Sequence, residues 1–169
     1  IALMVLHGVI AVLLSLGYTP REFVLSLMGK AEEPSSGGRQ MPSHWSLRRA
    51  NAVSHSAPVA TQACHAAGIG LAMKMRGEQK VVLTTIGEGS TSQGEWYEAV
   101  NWAAVHQLPV IFMVENNQYA ISVPQHLQMA VRSSADKACG LGLEGITVDG
   151  TDMLAVYEAV DRAAQKARA

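Results

Sequence analysis

Two short apolar runs on either side of a helical segment constrain the fold of this chain most strongly. Lys80–Ile86 and Val110–Val114 are rich in β-branched side chains and apolar at successive positions, as in strands that are buried on both faces. The intervening segment, Gly94–His106, reads as a helix. Strands of this kind alternating with helices predict an α/β fold, a parallel sheet covered by helices, with right-handed crossovers.

Further elements flank this unit. Thr19 can cap a short helix that begins at Pro20, and Glu22 can reach back to complete a capping box. We expect this helix to end at Gly29. Downstream we expect an Ala- and Gly-rich helix that packs closely on another element, a third short strand, and an amphipathic last helix. These are Pro58–Met75 with Gly68 and Gly70, Ile146–Val148, and Met153–Arg168 with an apolar stripe of Leu154, Val156, Tyr157 and Val160.

Two segments differ in composition from the rest of the chain. The first seventeen residues carry no formal charge, and they predict a buried helix, because a membrane span needs about 20 apolar residues. Residues 31–44 contain two Pro, two Gly and three Ser, which predicts a loop. Loops of this length in compact domains are functional or disordered. The start at Ile1 and the end inside a helix favour one domain over residues 1–169, cut from a longer chain.

The amino-acid composition disfavours some classes of binding partner. Thirteen basic and 14 acidic residues give a net charge of −1, so the basic excess typical of nucleic-acid and anionic-membrane binding is missing. Only 16% of residues are charged, against about 25% in an average soluble domain, which suggests that partners cover part of the surface. The two cysteines form no framework, which favours a reducing compartment. We expect a cytoplasmic protein, or a mitochondrial matrix protein if the source is eukaryotic.

Polar groups follow both predicted strands. Gly87-Glu88-Gly89-Ser90 comes after the first, and Glu115-Asn116-Asn117-Gln118-Tyr119 after the second. Ligands of parallel sheets bind at the carboxyl ends of the strands. A carboxylate, an amide oxygen and a backbone carbonyl there are the hard oxygen ligands that Mg²⁺ takes, often together with substrate phosphates. The alternative is that both segments are plain turns. The segment that begins at Gly87 fits neither the GxGxxG nucleotide fingerprint nor a P-loop.

Three motifs in order resemble one family. Gly87-Glu88-Gly89 precedes Asn116-Asn117 by 26 residues, which resembles the thiamine-diphosphate-binding motif. The stretches GGRQMPSHW, SAPVATQACHAAGIGLA and GEGSTSQGEWYEAVNWAAVHQLPVIFMVENNQYAISVP resemble the alpha subunit of the decarboxylating component of 2-oxo acid dehydrogenase complexes. The resemblance covers roughly residues 18–169 and implies the thiamine-diphosphate-binding fold.

The resemblance also implies site residues. Glu88, Asn117 and the carbonyl of Tyr119 would hold Mg²⁺, and Gly87, Gly89 and Ser90 would lie along thiamine diphosphate. A second group matches a K⁺-binding turn of the branched-chain members, with a plain helix start as the alternative: Ser56, Pro58, Thr61 and Gln62.

The implied reaction is oxidative decarboxylation of a small-molecule 2-oxo acid, with acyl transfer to a lipoyl-bearing acyltransferase. A beta subunit would complete the site. Gly-Glu-Gly and the K⁺-like turn favour a branched-chain acid over pyruvate, whereas Glu115 stands where branched-chain members often carry Arg. The family's Tyr-Arg pair is replaced by Leu6-His7-Gly8-Val9, and the chain ends before a later His loop. Two alternatives therefore stay open, a pyruvate or acetoin dehydrogenase alpha subunit and a non-catalytic remnant.

Overall fold

The computed structural model describes residues 2–4, 10–54 and 56–169. Its helices are α1 (Ile10–Ser15), α2 (Pro20–Leu27), α3 (Thr61–Met75), α4 (Gly94–His106), α5 (Gln125–Gln128), α6 (Ser134–Gly140) and α7 (Met153–Arg168). Its strands are β1 (Ala2–Met4), β2 (Ala52–Val53), β3 (Val82–Gly87), β4 (Val110–Glu115), β5 (Tyr119–Ala120) and β6 (Val123–Pro124). Short 3₁₀ turns cover Arg48–Ala50 and Glu88–Ser92, and the latter is called the 88–92 turn below.

A parallel sheet in the order β2-β1-β3-β4 organises these elements, which confirms the predicted α/β class. β3 and β4 pair over their whole length, from Val82 opposite Val110 to Gly87 opposite Glu115. Val82, Thr84, Thr85 and Ile86 of β3 are buried, as expected of a strand covered on both faces, whereas β4 is half-buried. The short β5–β6 hairpin forms a separate antiparallel sheet.

The core between α3, α4 and the sheet depends on small side chains. Its buried members are Ala60, Ala63, Ala67, Ile86, Trp96, Ala99, Val100, Ala103 and Leu108. A Cβ atom at Gly70 would lie 2.6 Å from Cγ2 of Val110, whereas one at Gly68 would meet nothing within 4 Å. The predicted close packing of α3 therefore holds at Gly70 and not at Gly68.

A second buried cluster, formed by Leu13, Tyr18, Trp45, Leu47 and Ala52, joins the N-terminal segments. The predicted capping box at Thr19 and Glu22 is present, and Gly29 adopts a positive φ of 58° just after α2. Arg49 donates to both carboxylate oxygens of Glu22, at 3.0 and 2.8 Å. That hydrogen-bonded ion pair lowers the pKa of Glu22 to about 2.

The loop over residues 31–44 is ordered around one carboxylate. Glu33 is buried and accepts hydrogen bonds from the backbone amides of Ser35, Ser36 and Gly38, and from the Ser36 hydroxyl. Burial opposes ionisation of this group, but the hydrogen bonds outweigh it and leave the pKa of Glu33 below its usual value. Of the two outcomes expected for a long loop, disorder is therefore the wrong one.

Several boundaries differ from the sequence prediction. The helix predicted from Pro58 begins at Thr61, because Ala60 takes a left-handed conformation with φ 72°. A single buried helix over the first seventeen residues is wrong, since β1 occupies Ala2–Met4 and, among the described residues of this segment, the helical ones are Ile10–Ser15. Residues 1 and 5–9 lie outside the described part of the chain.

The C-terminal part of the structure differs from the sequence prediction in two ways. Ile146–Val148 is irregular rather than a strand, because no strand of the described residues pairs with it. In α7 the predicted stripe is wrong at Leu154 and Tyr157, which are exposed. The covered side of α7 consists largely of small side chains instead, namely Ala155, Val156, Ala159, Val160, Ala163 and Ala164.

None of the helices within the described residues is both long and apolar enough to span a bilayer.

The two glycines of α3 give a matched test of the packing. Gly68→Ala should raise the free energy of unfolding by up to about 1 kcal/mol, because Ala favours the helix and meets no neighbour. Gly70→Ala should leave the protein about 1–3 kcal/mol less stable than Gly68→Ala, because its Cβ atom would press on Val110. Denaturant unfolding of both variants measures the difference, and equal stabilities would show that α3 does not contact β4 through Gly70.

Candidate functional site

The paired ends of β3 and β4 build the candidate site. Gly87 lies opposite Glu115 in the parallel register, so the residues that follow both strands leave the sheet at the same edge. The chain after β3 forms the 88–92 turn and enters α4 at Gly94. The chain after β4 continues into the β5–β6 hairpin. The two polar segments singled out in the sequence therefore share one edge of the sheet.

Glu88 is the buried charge of this edge. Its side chain is only 2% exposed, and its Oε1 atom has no hydrogen-bond partner among the described residues. An ionised carboxylate buried without a partner is costly, so such groups in proteins are paired or coordinate metals. This carboxylate therefore fits a cation at the edge of the sheet.

Asn117 and Tyr119 approach from the second segment. The Oδ1 atoms of Asn116 and Asn117 accept hydrogen bonds from the amides of Gln118 and Tyr119, each at 2.8 Å. Gln118 has a positive φ of 67°, so the chain turns sharply before the hairpin. An amide oxygen has two lone pairs. Asn117 Oδ1 can therefore keep its backbone contact and still act as a metal ligand.

Gly89 brings the two segments together. A Cβ atom at Gly89 would lie 2.6 Å from the Cβ atom of Ala120, so the 88–92 turn and the hairpin touch at a position that has room only for glycine. Gly87 has no such neighbour, since a Cβ there would meet nothing within 4 Å. Ser90 lies next in the turn and is 9% exposed. The structure thus places Gly87, Glu88, Gly89 and Ser90 next to the hairpin that begins at Tyr119.

Glu115 adds a second carboxylate at the end of β4. Partial burial raises the pKa of Glu115, although the residue as a whole is exposed, and a hydrogen bond with the Thr85 side chain acts in the opposite sense. Glu115 stands directly opposite Gly87, one residue before Glu88. The same edge therefore carries one fully buried carboxylate and one that is held more easily protonated than usual.

The K⁺-like group lies at the start of α3. Gln62 is fully buried, and its Nε2 atom donates to the carbonyl of Thr85 in β3 at 3.4 Å, while its Oε1 atom has no partner within the described part of the chain. Ser56 and Thr61 are half-buried and Pro58 is exposed. Gln62 thus connects this group to the strand that leads into Glu88.

Sequence reasoning missed the residues that support the 88–92 turn from downstream. Gln128 of α5 donates to the Gly89 carbonyl at 3.2 Å and forms a short hydrogen bond to the Ser92 hydroxyl. Lys137 of α6 donates to the Thr91 carbonyl and hydroxyl at 3.2 and 3.0 Å. The capping box of Ser133 and Asp136 was a local signal for α6. Contacts 36–46 residues apart along the chain leave no local pattern.

A family model decides the relationship. The model described as the dehydrogenase E1 component matches residues 5–169. This chain belongs to the dehydrogenase E1 component family. The resemblance found in the three sequence motifs is thereby confirmed.

Curated relatives of this E1 chain come from two substrate classes. This chain is 48% identical to the 2-oxoisovalerate dehydrogenase subunit alpha of Bacillus subtilis over 157 residues, which are 93% of this chain and 48% of that protein. It is 44% identical over 117 residues to the pyruvate dehydrogenase E1 component subunit alpha of Staphylococcus aureus, 69% of this chain and 32% of that protein. The chain thus spans about half the length, or less, of these relatives.

A solved structure supports the fold. An X-ray structure from Mycobacterium smegmatis, of a protein assigned as a thiamin diphosphate-dependent enzyme without proof of activity, superposes with a TM-score of 0.55 at 31% sequence identity. The matched region covers 69% of this E1 chain and 22% of the chain in that X-ray structure. The predicted thiamine-diphosphate-binding α/β fold is therefore confirmed.

The contact between Gly89 and Ala120 can be tested with a glycine pair from one turn. Gly89→Ala should displace the β5–β6 hairpin, because its Cβ atom would overlap that of Ala120. Gly87→Ala is the control, since its Cβ atom has free space. Hydrogen exchange should speed up at residues 119–124 in Gly89→Ala alone. Equal exchange in the two variants would show that the hairpin does not rest on Gly89.

Proposed function

We propose that this chain is the thiamine-diphosphate-holding part of the alpha subunit of a 2-oxo acid dehydrogenase. Glu88, Asn117 and the carbonyl of Tyr119 hold Mg²⁺ in this proposal, and Gly87, Gly89 and Ser90 lie along the cofactor. The observation that carries it is the buried carboxylate of Glu88, whose Oε1 atom has no partner among the described residues. Family membership supports the same reaction class.

The chain's own residues bind and orient in this reaction. Thiamine diphosphate, when bound, supplies the carbanion chemistry by which a 2-oxo acid loses carbon dioxide. Glu88 would contribute one negative charge toward the dication, and Asn117 and Tyr119 would contribute neutral oxygens. Gly89 keeps the backbone of the turn and the hairpin close together. The α4 N-terminus at Gly94 lies just after the turn and presents free amides that favour a phosphate.

The proposal includes two protein partners. A beta subunit would complete the site, and a lipoyl-bearing acyltransferase would accept the acyl group. The relatives' names as subunits of dehydrogenases support a partner chain. Large apolar side chains such as Trp102, Val105, Met153, Leu154 and Tyr157 are exposed on α4 and α7, which agrees with a surface that another chain covers.

A K⁺ ion at the start of α3 is a finer part of the proposal. The buried Gln62 offers an oxygen without a partner among the described residues, which suits a cation. Ser56, Pro58 and Thr61 would supply the other oxygens. Because Gln62 also donates to the Thr85 carbonyl, an ion held there would stiffen the strand that ends at Glu88.

The metal site is tested by Glu88→Gln. The natural chain should bind thiamine diphosphate in Mg²⁺ and not in EDTA, and the variant should bind at least about a hundredfold more weakly, because even supporting residues of metal sites matter by 10–100-fold. Calorimetric titration of cofactor measures both. In EDTA, thermal unfolding should show the variant to be no less stable than the natural chain, because it removes a buried charge.

Glu98→Gln is the matched control, because Glu98 is an exposed carboxylate of α4. It should leave the titration unchanged. Cofactor binding by Glu88→Gln with the natural affinity would remove Glu88 from the site. A natural chain that folds, assembles with its beta subunit and binds no cofactor would favour the non-catalytic remnant.

Branched-chain 2-oxo acids are the proposed substrates. The longer and closer match to the 2-oxoisovalerate enzyme supports this over pyruvate or acetoin. In the assembled complex we expect kcat/KM for 3-methyl-2-oxobutanoate to exceed that for pyruvate by at least about tenfold, the discrimination that extra methyl groups provide in an apolar pocket. A higher value for pyruvate would overturn the substrate and leave the cofactor proposal intact.

A further inference from the structure

Lys137 makes an unusual set of contacts for a lysine near a surface. Its Nζ atom donates to the Thr91 carbonyl at 3.2 Å, the Thr91 hydroxyl at 3.0 Å and the Ser92 hydroxyl at 3.3 Å. It also lies 5.7 Å from the centroid of the Tyr97 ring. Among the described residues it takes part in no ion pair. All three donated hydrogen bonds are therefore directed at one short segment, the 88–92 turn.

Thr91 passes this contact on to Glu88. Thr91 is fully buried, and its hydroxyl donates to the Glu88 carbonyl at 2.6 Å while it accepts from Lys137. A hydroxyl that accepts from a cation is a stronger donor, because hydrogen bonds in a chain polarise one another. The ammonium group on α6 is thus linked through one hydroxyl to the backbone of the residue whose carboxylate is buried at the sheet edge.

We propose that Lys137 is a positioning residue for the metal site: from α6 it holds Thr91, and through Thr91 the backbone of Glu88, so that the Glu88 carboxylate is presented to the cation. Gln128 of α5 assists by holding the Gly89 carbonyl and the Ser92 hydroxyl from the neighbouring helix. The link to a metal rests on the function proposed above, whereas the restraint on the turn rests on these contacts alone.

The physical reason for such a restraint is the cost of the buried carboxylate. A buried carboxylate oxygen without a hydrogen-bond partner, such as Glu88 Oε1, favours any movement of the turn that lets it reach water. The polar ends of the turn must therefore be held from outside. A cation that is not neutralised by a carboxylate is well suited, because hydrogen bonds from charged donors are about twice as strong as neutral ones.

The test compares two lysines in the natural full-length chain, with its beta subunit where the assembly requires it. Lys137→Met removes the restraint. Lys74→Met is the matched control, because Lys74 also donates to backbone carbonyls, those of His106 and Gln107, but at the other end of α4. Two readouts are hydrogen exchange of residues 88–92 without cofactor and the Mg²⁺ concentration needed for half-maximal thiamine diphosphate binding.

We expect Lys137→Met to speed exchange of the 88–92 amides at least about tenfold and to raise the required Mg²⁺ concentration about 10–100-fold, as supporting residues of metal sites do. Lys74→Met should change neither. Lys137→Arg keeps the charge and the donors and should recover most of both effects. Unchanged exchange in Lys137→Met, or equal losses in Lys137→Met and Lys137→Arg, would overturn the proposal.

A second variant keeps the test decisive if Lys137→Met folds poorly. Thr91→Val removes the linking hydroxyl at nearly constant volume. If Lys137 acts through Thr91, Thr91→Val alone should speed exchange of the 88–92 amides and raise the required Mg²⁺ concentration, and unchanged values would overturn the proposal. Where both single variants fold, the double variant should lose no more Mg²⁺ affinity than the larger of the two single losses. Additive losses would show that the two act separately. If the natural chain binds no thiamine diphosphate, the proposed function fails, and the exchange experiment still decides whether Lys137 restrains the turn.

Discussion

The parallel pairing of β3 with β4 is the interaction on which the candidate site depends. Its register ends with Gly87 opposite Glu115, so two segments far apart along the chain leave the sheet side by side. A shift of the register would move the segment that begins at Glu88 away from the segment that follows Glu115. The small residues of α3 and α4 allow those helices to pack closely, and Gly70 lets α3 reach Val110 of β4. The core thus fixes the strands, and the strands fix the site.

The candidate site contains buried polar atoms that have no hydrogen-bond partner among the described residues. Glu88 and Gln62 are buried, and each has a side-chain oxygen without a hydrogen-bond partner among the described residues. Unsatisfied polar groups of this kind reduce stability unless a ligand meets them. Their positions beside the end of β3 agree with the proposal that a cation binds there. The contacts from α5 and α6 hold the turn in place against that cost.

Local patterns predicted much of the fold. The sequence predicts α4 with its observed bounds, β3 and β4 within two residues, and both hydrogen bonds of the capping box at Thr19, because periodicity and caps act over a few residues.

The sequence does not predict the strand β1 in the apolar N-terminal segment, since a short apolar run does not distinguish a strand from a buried helix. The α7 stripe was misplaced because alanines, rather than Leu154 and Tyr157, face the protein. Ile146–Val148 has the composition of a strand, but no strand of the described residues pairs with it. The polar strand ends were found from sequence, whereas Lys137 and Gln128 were not, because only tertiary contacts bring them to the turn.

The most direct measurement of the central claim is a crystal structure of the full-length chain, assembled with its beta subunit, grown with Mg²⁺ and thiamine diphosphate. The account predicts a metal ion coordinated by Glu88, by Asn117 Oδ1 and by the Tyr119 carbonyl at about 2.0–2.1 Å, with diphosphate oxygens completing the shell. Electron density for the metal and diphosphate at another place, or a metal at this edge without Glu88 among its ligands, would contradict it.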